Sequence, residues 1–190
     1  QANRPYQDPV LVLFSGGVQT GCGNASSQVG PFYCPRDQRL YIDPDFLVQL
    51  QRQIGAPGPF AAAYVIAHEV GHHIQNRLGI LDRVDQVRRG ADDREGNALQ
   101  VRVELQADCF AGFWARRANE ARGIMERGEL EQAMAAANGV GDDRLQRQAQ
   151  GYVVPERFTH GSSEQRVRWF RRGFDSNDVR ACDTMSTDRL

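Results

Sequence analysis

Five consecutive residues, His68-Glu69-Val70-Gly71-His72, set out the chemistry open to this chain. They match H-E-x-x-H, the pattern in which two histidines hold zinc and the glutamate acts as base. Residues i and i+4 stand one above the other on a helix, with Cβ atoms about 5–6 Å apart. Both rings can then reach one cation at about 2.0–2.1 Å. Glu69 lies about 100° around such a helix from His68, given 3.6 residues per turn. It flanks the metal, placed to take a proton from a bound water whose pKa the metal lowers to about 7. Gly71 inside the helix costs about 1 kcal/mol relative to alanine, which predicts close packing against a neighbour.

A catalytic zinc needs a third protein ligand and an open position. The chain has four histidines, and the two not yet used are His73 and His160. His73 is turned about 100° from His72 on the helix and is badly placed; a structural or rim role suits it better. Tyr64, one turn before His68, reads as core. An acidic residue is the better third ligand, and Val103-Glu-Leu-Gln-Ala-Asp-Cys-Phe-Ala-Gly112 offers two on one helical face, Glu104 and Asp108. One carboxylate can bind metal while the other holds a ligand histidine through its second ring nitrogen. The plain alternatives are a solvated helix charge for Glu104 and an arginine partner for Asp108.

Four segments carry a wider resemblance: His68-Glu-Val-Gly-His-His-Ile-Gln75, Glu104-Leu-Gln-Ala-Asp-Cys-Phe-Ala-Gly112, Gly30-Pro-Phe-Tyr-Cys-Pro35 and Thr159-His-Gly-Ser-Ser-Glu-Gln-Arg166. Together they resemble the bacterial neutral zinc metallopeptidase family, gluzincin-like with HExxH plus ExxAD, over roughly residues 6–183. The resemblance implies one Zn2+ held by His68, His72 and Glu104, with Glu69 as base and Asp108 orienting a histidine. It implies that His160 lies near the substrate and stabilises the oxyanion, and that Arg166 braces Asp108. Its members usually carry an N-terminal signal or membrane anchor, which fits a chain beginning at Gln1 rather than Met. A plainer reading of His160 is a loop residue before the last helix.

These residues need elements to position them. Val10-Leu-Val-Leu-Phe14 reads as a short strand, and Arg39-Leu-Tyr-Ile-Asp43 alternates as a half-buried strand does. As the strand nearest the histidine helix in sequence, 39–43 offers either an edge for an extended substrate or an ordinary core strand. Asp43-Pro44 reads as an N-cap with proline at N1, opening a helix through Phe46, Leu47, Leu50 and Ile54 that stops at Gly55. Gly55-Ala-Pro-Gly-Pro59 is a break. The histidine helix should run from about Phe60 to Leu78, with Gly79 past its end. Asp82 to Gly96 reads as a polar excursion between helices. A long helix follows from Ala98 to about Ala121, with Leu99, Val103, Ala107, Phe110 and Trp114 as its apolar stripe. Two shorter helices, 129–138 and 142–149, precede a capping box at Ser162-Ser-Glu-Gln165 and a last helix toward Phe174. The fold class is α+β, zincin-like: a small N-terminal β-sheet and a mainly helical body. All 190 residues form a single expected domain, with 1–8 as the remnant of a linker.

Composition narrows the setting. Hydrophobic residues at 41% and charged residues at 25% are a globular balance rather than a disordered one. A net charge of −1 gives no pull toward nucleic acid, and all basic residues are scattered arginines. No stretch approaches the ~20 apolar residues of a membrane span. Four cysteines without a C-x-x-C pair allow three pairings. Cys22–Cys34 would close a Gly/Ser-rich loop, worth on the order of 3 kcal/mol, and Cys109–Cys182 would tie the tail to the core. Disulfides would place the protein outside the cytoplasm, in the periplasm, cell envelope or medium, with an anchor upstream of Gln1 compatible with that. The function expected is a zinc endopeptidase acting on a protein or peptide substrate. The alternatives are a non-catalytic, zinc-stabilised envelope interaction domain and a hydrolase of a non-peptide amide or ester.

Overall fold

A computed structural model of the chain describes residues 5–54 and 59–190. Part of the expected linker remnant (1–4) and the expected break at 55–58, with the stop at Gly55, lie outside the described residues. The architecture is α+β, as the residue patterns indicated. Strands β1 (Val10–Leu13), β4 (Phe32–Cys34) and β5 (Arg39–Ile42) form one sheet, and β2 (Gly17–Thr20) pairs with β3 (Gly23–Ser26) in a hairpin.

The three-stranded sheet has the order β1-β5-β4, with β5 parallel to β1 and antiparallel to β4. This corrects the reading of 39–43 as a substrate-binding edge: β5 is paired on both sides, so no backbone row is left to accept a strand. It also corrects the half-buried expectation, because Leu40, Tyr41 and Ile42 are all at most 2% exposed. Tyr41 is covered on its own face by Phe32, stacked at 5.0 Å, and its hydroxyl donates to Asp37 Oδ2 at 2.7 Å. The apolar run at β1 is an edge strand instead, with Val10, Leu11 and Leu13 exposed. Cys22, in the β2–β3 turn, is bonded to Cys34 at the end of β4.

Helix α1 (Pro44–Ile54) begins as expected: Asp43 Oδ1 accepts the Asp45 N–H at 2.9 Å. Helix α2 (Pro59–Arg77) carries the histidines and ends before Gly79, whose φ of 68° suits glycine. The excursion expected at 82–96 is mostly helical. Helix α3 (Ile80–Arg88) occupies its first half, and α4 (Asp93–Arg122) starts in its second, capped by Asp92 accepting the Glu95 N–H. Its charges are solvated, and Val84 supplies the one buried side chain of α3. Helices α5 (Glu129–Gly139) and α6 (Asp142–Gln150) follow, then α7 (Ser163–Asp175), opened by the Ser162/Gln165 capping box.

Helix α4 is the central member, packed along α7 on one side and α2 on the other. Glycines set both distances. A β-carbon on Gly71 would lie 3.0 Å from the Cα and carbonyl oxygen of Ala107, so α2 and α4 touch nearly backbone to backbone. A β-carbon on Gly112 would overlap the carbonyl oxygen of Phe170, and one on Gly173 would overlap that of Cys109. The α4–α7 seam is therefore closed from both sides. Small and aromatic residues fill the space around these seams, among them Ala61, Tyr64, Ala111, Ala115 and Phe170. Trp114, expected on the apolar stripe, is 43% exposed, whereas its neighbours Ala111 and Ala115 are buried.

The second disulfide, Cys109–Cys182, pins the tail to α4. Two disulfides fit an oxidising, extracytoplasmic environment. Among the described residues no helix is long and apolar enough to cross a membrane.

Candidate metal centre

The α2–α4 contact at Gly71 and Ala107 brings two helical faces together. From α2 come His68 and His72; from α4 come Glu104 and Asp108. His68 Nε2 lies 3.1 Å from Glu104 Oε2 and 3.1 Å from His72 Nε2, and His72 Nε2 lies 3.5 Å from the same carboxylate oxygen. The three ligand atoms lie within 4.8 Å of one another, the one such group among the described residues. Two imidazole nitrogens and a carboxylate oxygen are a donor set zinc accepts, and three protein ligands leave a fourth position for water.

Each of the three candidate donors is held from behind. His68 Nδ1 meets Asp108 Oδ1 at 2.8 Å. Asp108 is completely buried and is gripped by Arg166, whose Nε and Nη2 donate to its two oxygens at 2.9 and 3.0 Å. Tyr64 donates its hydroxyl to Asp108 Oδ1 at 2.5 Å and accepts from Arg166 Nη2 at 3.1 Å. Glu104 Oε1 accepts from Gln100 Nε2 at 2.9 Å, and Gln100 accepts from Arg88 Nη1 at 2.8 Å. His72 Nδ1 lies 2.8 Å from Gln75 Oε1.

Electrostatics favour positive charge at the centre. Burial opposes a charged ring at His68, but the Asp108 carboxylate outweighs it and raises the pKa to about 10. At His72 burial is likewise outweighed, by Glu104, and the pKa is raised. Burial would raise both carboxyls, yet the two histidines hold Glu104 well below its usual range, and Arg166 with His68 holds Asp108 at about 2. The carboxylates around the two rings thus favour positive charge between them.

The remaining candidates sit as follows. Glu69 is 7% exposed on α2 and acts electrostatically on His72. His160 lies on the loop between α6 and α7, with half of its side chain exposed. Its Nδ1 faces Asp142 Oδ1 at 3.2 Å and Thr159 Oγ1 at 3.0 Å. Asp142 Oδ2 accepts the N–H groups of Thr159, His160 and Gly161 at 2.7, 2.6 and 3.1 Å. This loop rests on α4, since a β-carbon on Gly161 would lie 3.2 Å from Leu105 and 3.3 Å from Val101. His73 is structural: fully buried, it meets Tyr33 Oη at 3.0 Å and the carbonyl of Gln7 at 2.7 Å.

Sequence reasoning missed Gln75, Gln100, Asp142 and the polar end of Tyr64. Gln75 and Gln100 had a signal, being three residues after His72 and four before Glu104 on their helices. Tyr64 stands one turn before His68. Asp142 had none, since its partners are 17 to 19 residues away.

A family model described as "Putative neutral zinc metallopeptidase" matches residues 1–185. The chain is 53% identical over 181 residues to "Uncharacterized protein YpfJ" of Escherichia coli K12, covering 95% of this chain and 63% of that protein. It is 49% identical over 195 residues to "Uncharacterized protein Rv2575" of Mycobacterium tuberculosis H37Rv, covering 97% of this chain and 65% of that protein. The chain thus spans just under two thirds of the length of the curated relatives it matches. No solved structure gives a significant match.

Proposed function

The chain belongs to the neutral zinc metallopeptidase family, and on that premise we propose that it is a zinc-dependent endopeptidase with Glu69 as general base. The observation that carries this reading is the meeting of His68 Nε2, His72 Nε2 and a Glu104 oxygen, with both Nδ1 atoms already engaged by acceptors. Zinc bound there would supply a Lewis acid and a water acidic enough to lose its proton near neutral pH. Glu69 would serve as the base toward that water and hand the proton on to the leaving amine. His160, on a loop resting against Val101 and Leu105, donates to the oxygen that gains charge in the transition state. Asp108, clamped by Arg166, keeps the ring of His68 aimed.

The same reading treats residues 1–190 as one metallopeptidase domain of the bacterial periplasm, envelope or medium, consistent with the two disulfides. Unfolded proteins and peptides are the substrates to test first, beside small esters and amides. Glu69→Gln should retain zinc and lose about 10²–10⁴-fold in turnover, and chelator should abolish the parent's activity. Full activity in Glu69→Gln would remove the glutamate from the chemistry.

A further inference from the structure

The two histidines of the cluster are held by different chemistry. His68 has a carboxylate behind it, whereas His72 has a neutral amide, Gln75, that is itself completely buried. Gln75 Nε2 lies 2.7 Å from the main-chain oxygen of Val103 and 3.1 Å from Gln106 Oε1. A carbonyl oxygen only accepts, so the nitrogen end of the amide must face Val103 and the oxygen end must face His72. That oxygen also only accepts. The proton between Gln75 and His72 therefore sits on His72 Nδ1, 2.8 Å away. A neutral imidazole carries one N–H, which leaves the Nε2 lone pair directed toward His68 and Glu104.

We propose that Gln75 is a positioning residue for the metal: it fixes the tautomer and the ring orientation of His72, and it is itself fixed by α4 and the tail. This rests on the reading of His72 as a ligand. The second anchor runs outward. Gln106 Nε2 donates to the carbonyl oxygen of Cys182 at 3.0 Å, so its Oε1 is turned to Gln75. Cys182 is bonded to Cys109 on α4. A ligand on α2 is thereby oriented by two amides and a carbonyl that the C-terminal disulfide holds in place. Groups that hold a ligating histidine from behind typically change metal affinity about 10–100-fold when removed.

The test is zinc affinity of the full chain, read by competition with a chromophoric chelator, with metal-free thermal unfolding as the companion measurement. Gln75→Met fills the same volume but offers His72 no acceptor; zinc affinity should fall about 10–100-fold. A second measurement separates positioning from packing: 15N histidine spectra of the metal-free parent, at a pH where the ring is neutral, should show His72 with its proton on Nδ1, and Gln75→Met should lose that preference. Parent-like zinc affinity in Gln75→Met overturns the inference, and so does a parent His72 whose proton sits on Nε2. If Gln75→Met does not fold, the tautomer of His72 in the parent decides by itself: Nδ1–H supports the proposal and Nε2–H overturns it. A parent chain that binds no zinc, or His72→Ala binding as tightly as the parent, defeats the ligand reading itself, a result distinct from the others.

Discussion

The metal cluster and the His160 loop are built on opposite plans. At the α2–α4–α7 seam His68 and Glu104 are buried and His72 half-buried, and each of these candidate donors carries a hydrogen-bonded support behind it. The loop between α6 and α7 holds a half-exposed histidine, secured through its backbone by an aspartate at the head of α6. Burial at the seam fixes distances and charge. Exposure at the loop leaves the ring of His160 open to solvent. Stability should therefore respond to changes at the seam, and turnover to changes at the loop.

The largest effect should come from the seam. Arg166→Met leaves the Asp108 carboxylate buried without its cation and should cost about 3–5 kcal/mol in denaturant unfolding. A loss under 1 kcal/mol would mean that the seam is not the rigid half. Next, His160→Ala should lower turnover by about 10²–10³-fold, the equivalent of about 2.7–4 kcal/mol, with zinc affinity unchanged and only the smaller loss of stability that its contact with Asp142 implies. A fall in stability equal to the fall in rate would erase the distinction between the two regions. The smallest effect belongs to Asp142. Burial would raise its pKa, but the ring and N–H of His160 and the N–H of Thr159 outweigh burial and lower it below 3.8. A folded pKa below the unfolded one adds stability that is fully present above about pH 3.8 and is lost as pH falls through the lower folded value. Asp142→Asn should thus be less stable than the parent at pH 6. The gap should close on acidification below about pH 3.8, and a gap constant with pH would deny the carboxylate its role.

Much of the seam was legible in the residues. His68, Glu69 and His72 are fixed by helical geometry, as is the shared face of Glu104 and Asp108. Gly71 announced a close neighbour, which proved to be Ala107. The Ser162 capping box follows from local chemistry as well, and of the three possible cysteine pairings the one favoured is the one formed. What escaped depends on contacts distant in sequence. Helix α3 hid among charges, although Ile80, Val84 and Val87 are spaced as one helical stripe. The central place of β5 is set by β1, nearly thirty residues away, and no local alternation reports it. Trp114 shows the converse error: helical spacing identifies a face, but the side that meets a neighbour runs through Ala111 and Ala115 and leaves Trp114 exposed. Of the site, Asp142 was invisible because it acts on the far side of a loop.

The interlocking glycines carry a lesson for protein engineering. Gly71, Gly112 and Gly173 contribute no ligand, yet they set how near α2 and α7 come to α4. A graft that moved only His68, Glu69, His72 and Glu104 into another helical bundle would inherit that bundle's wider spacing, typically 8–10 Å between axes. The donor atoms would then be too far apart to converge on one ion. The portable unit is three helices with their glycine notches, and the motif is the part of it that shows in a sequence search.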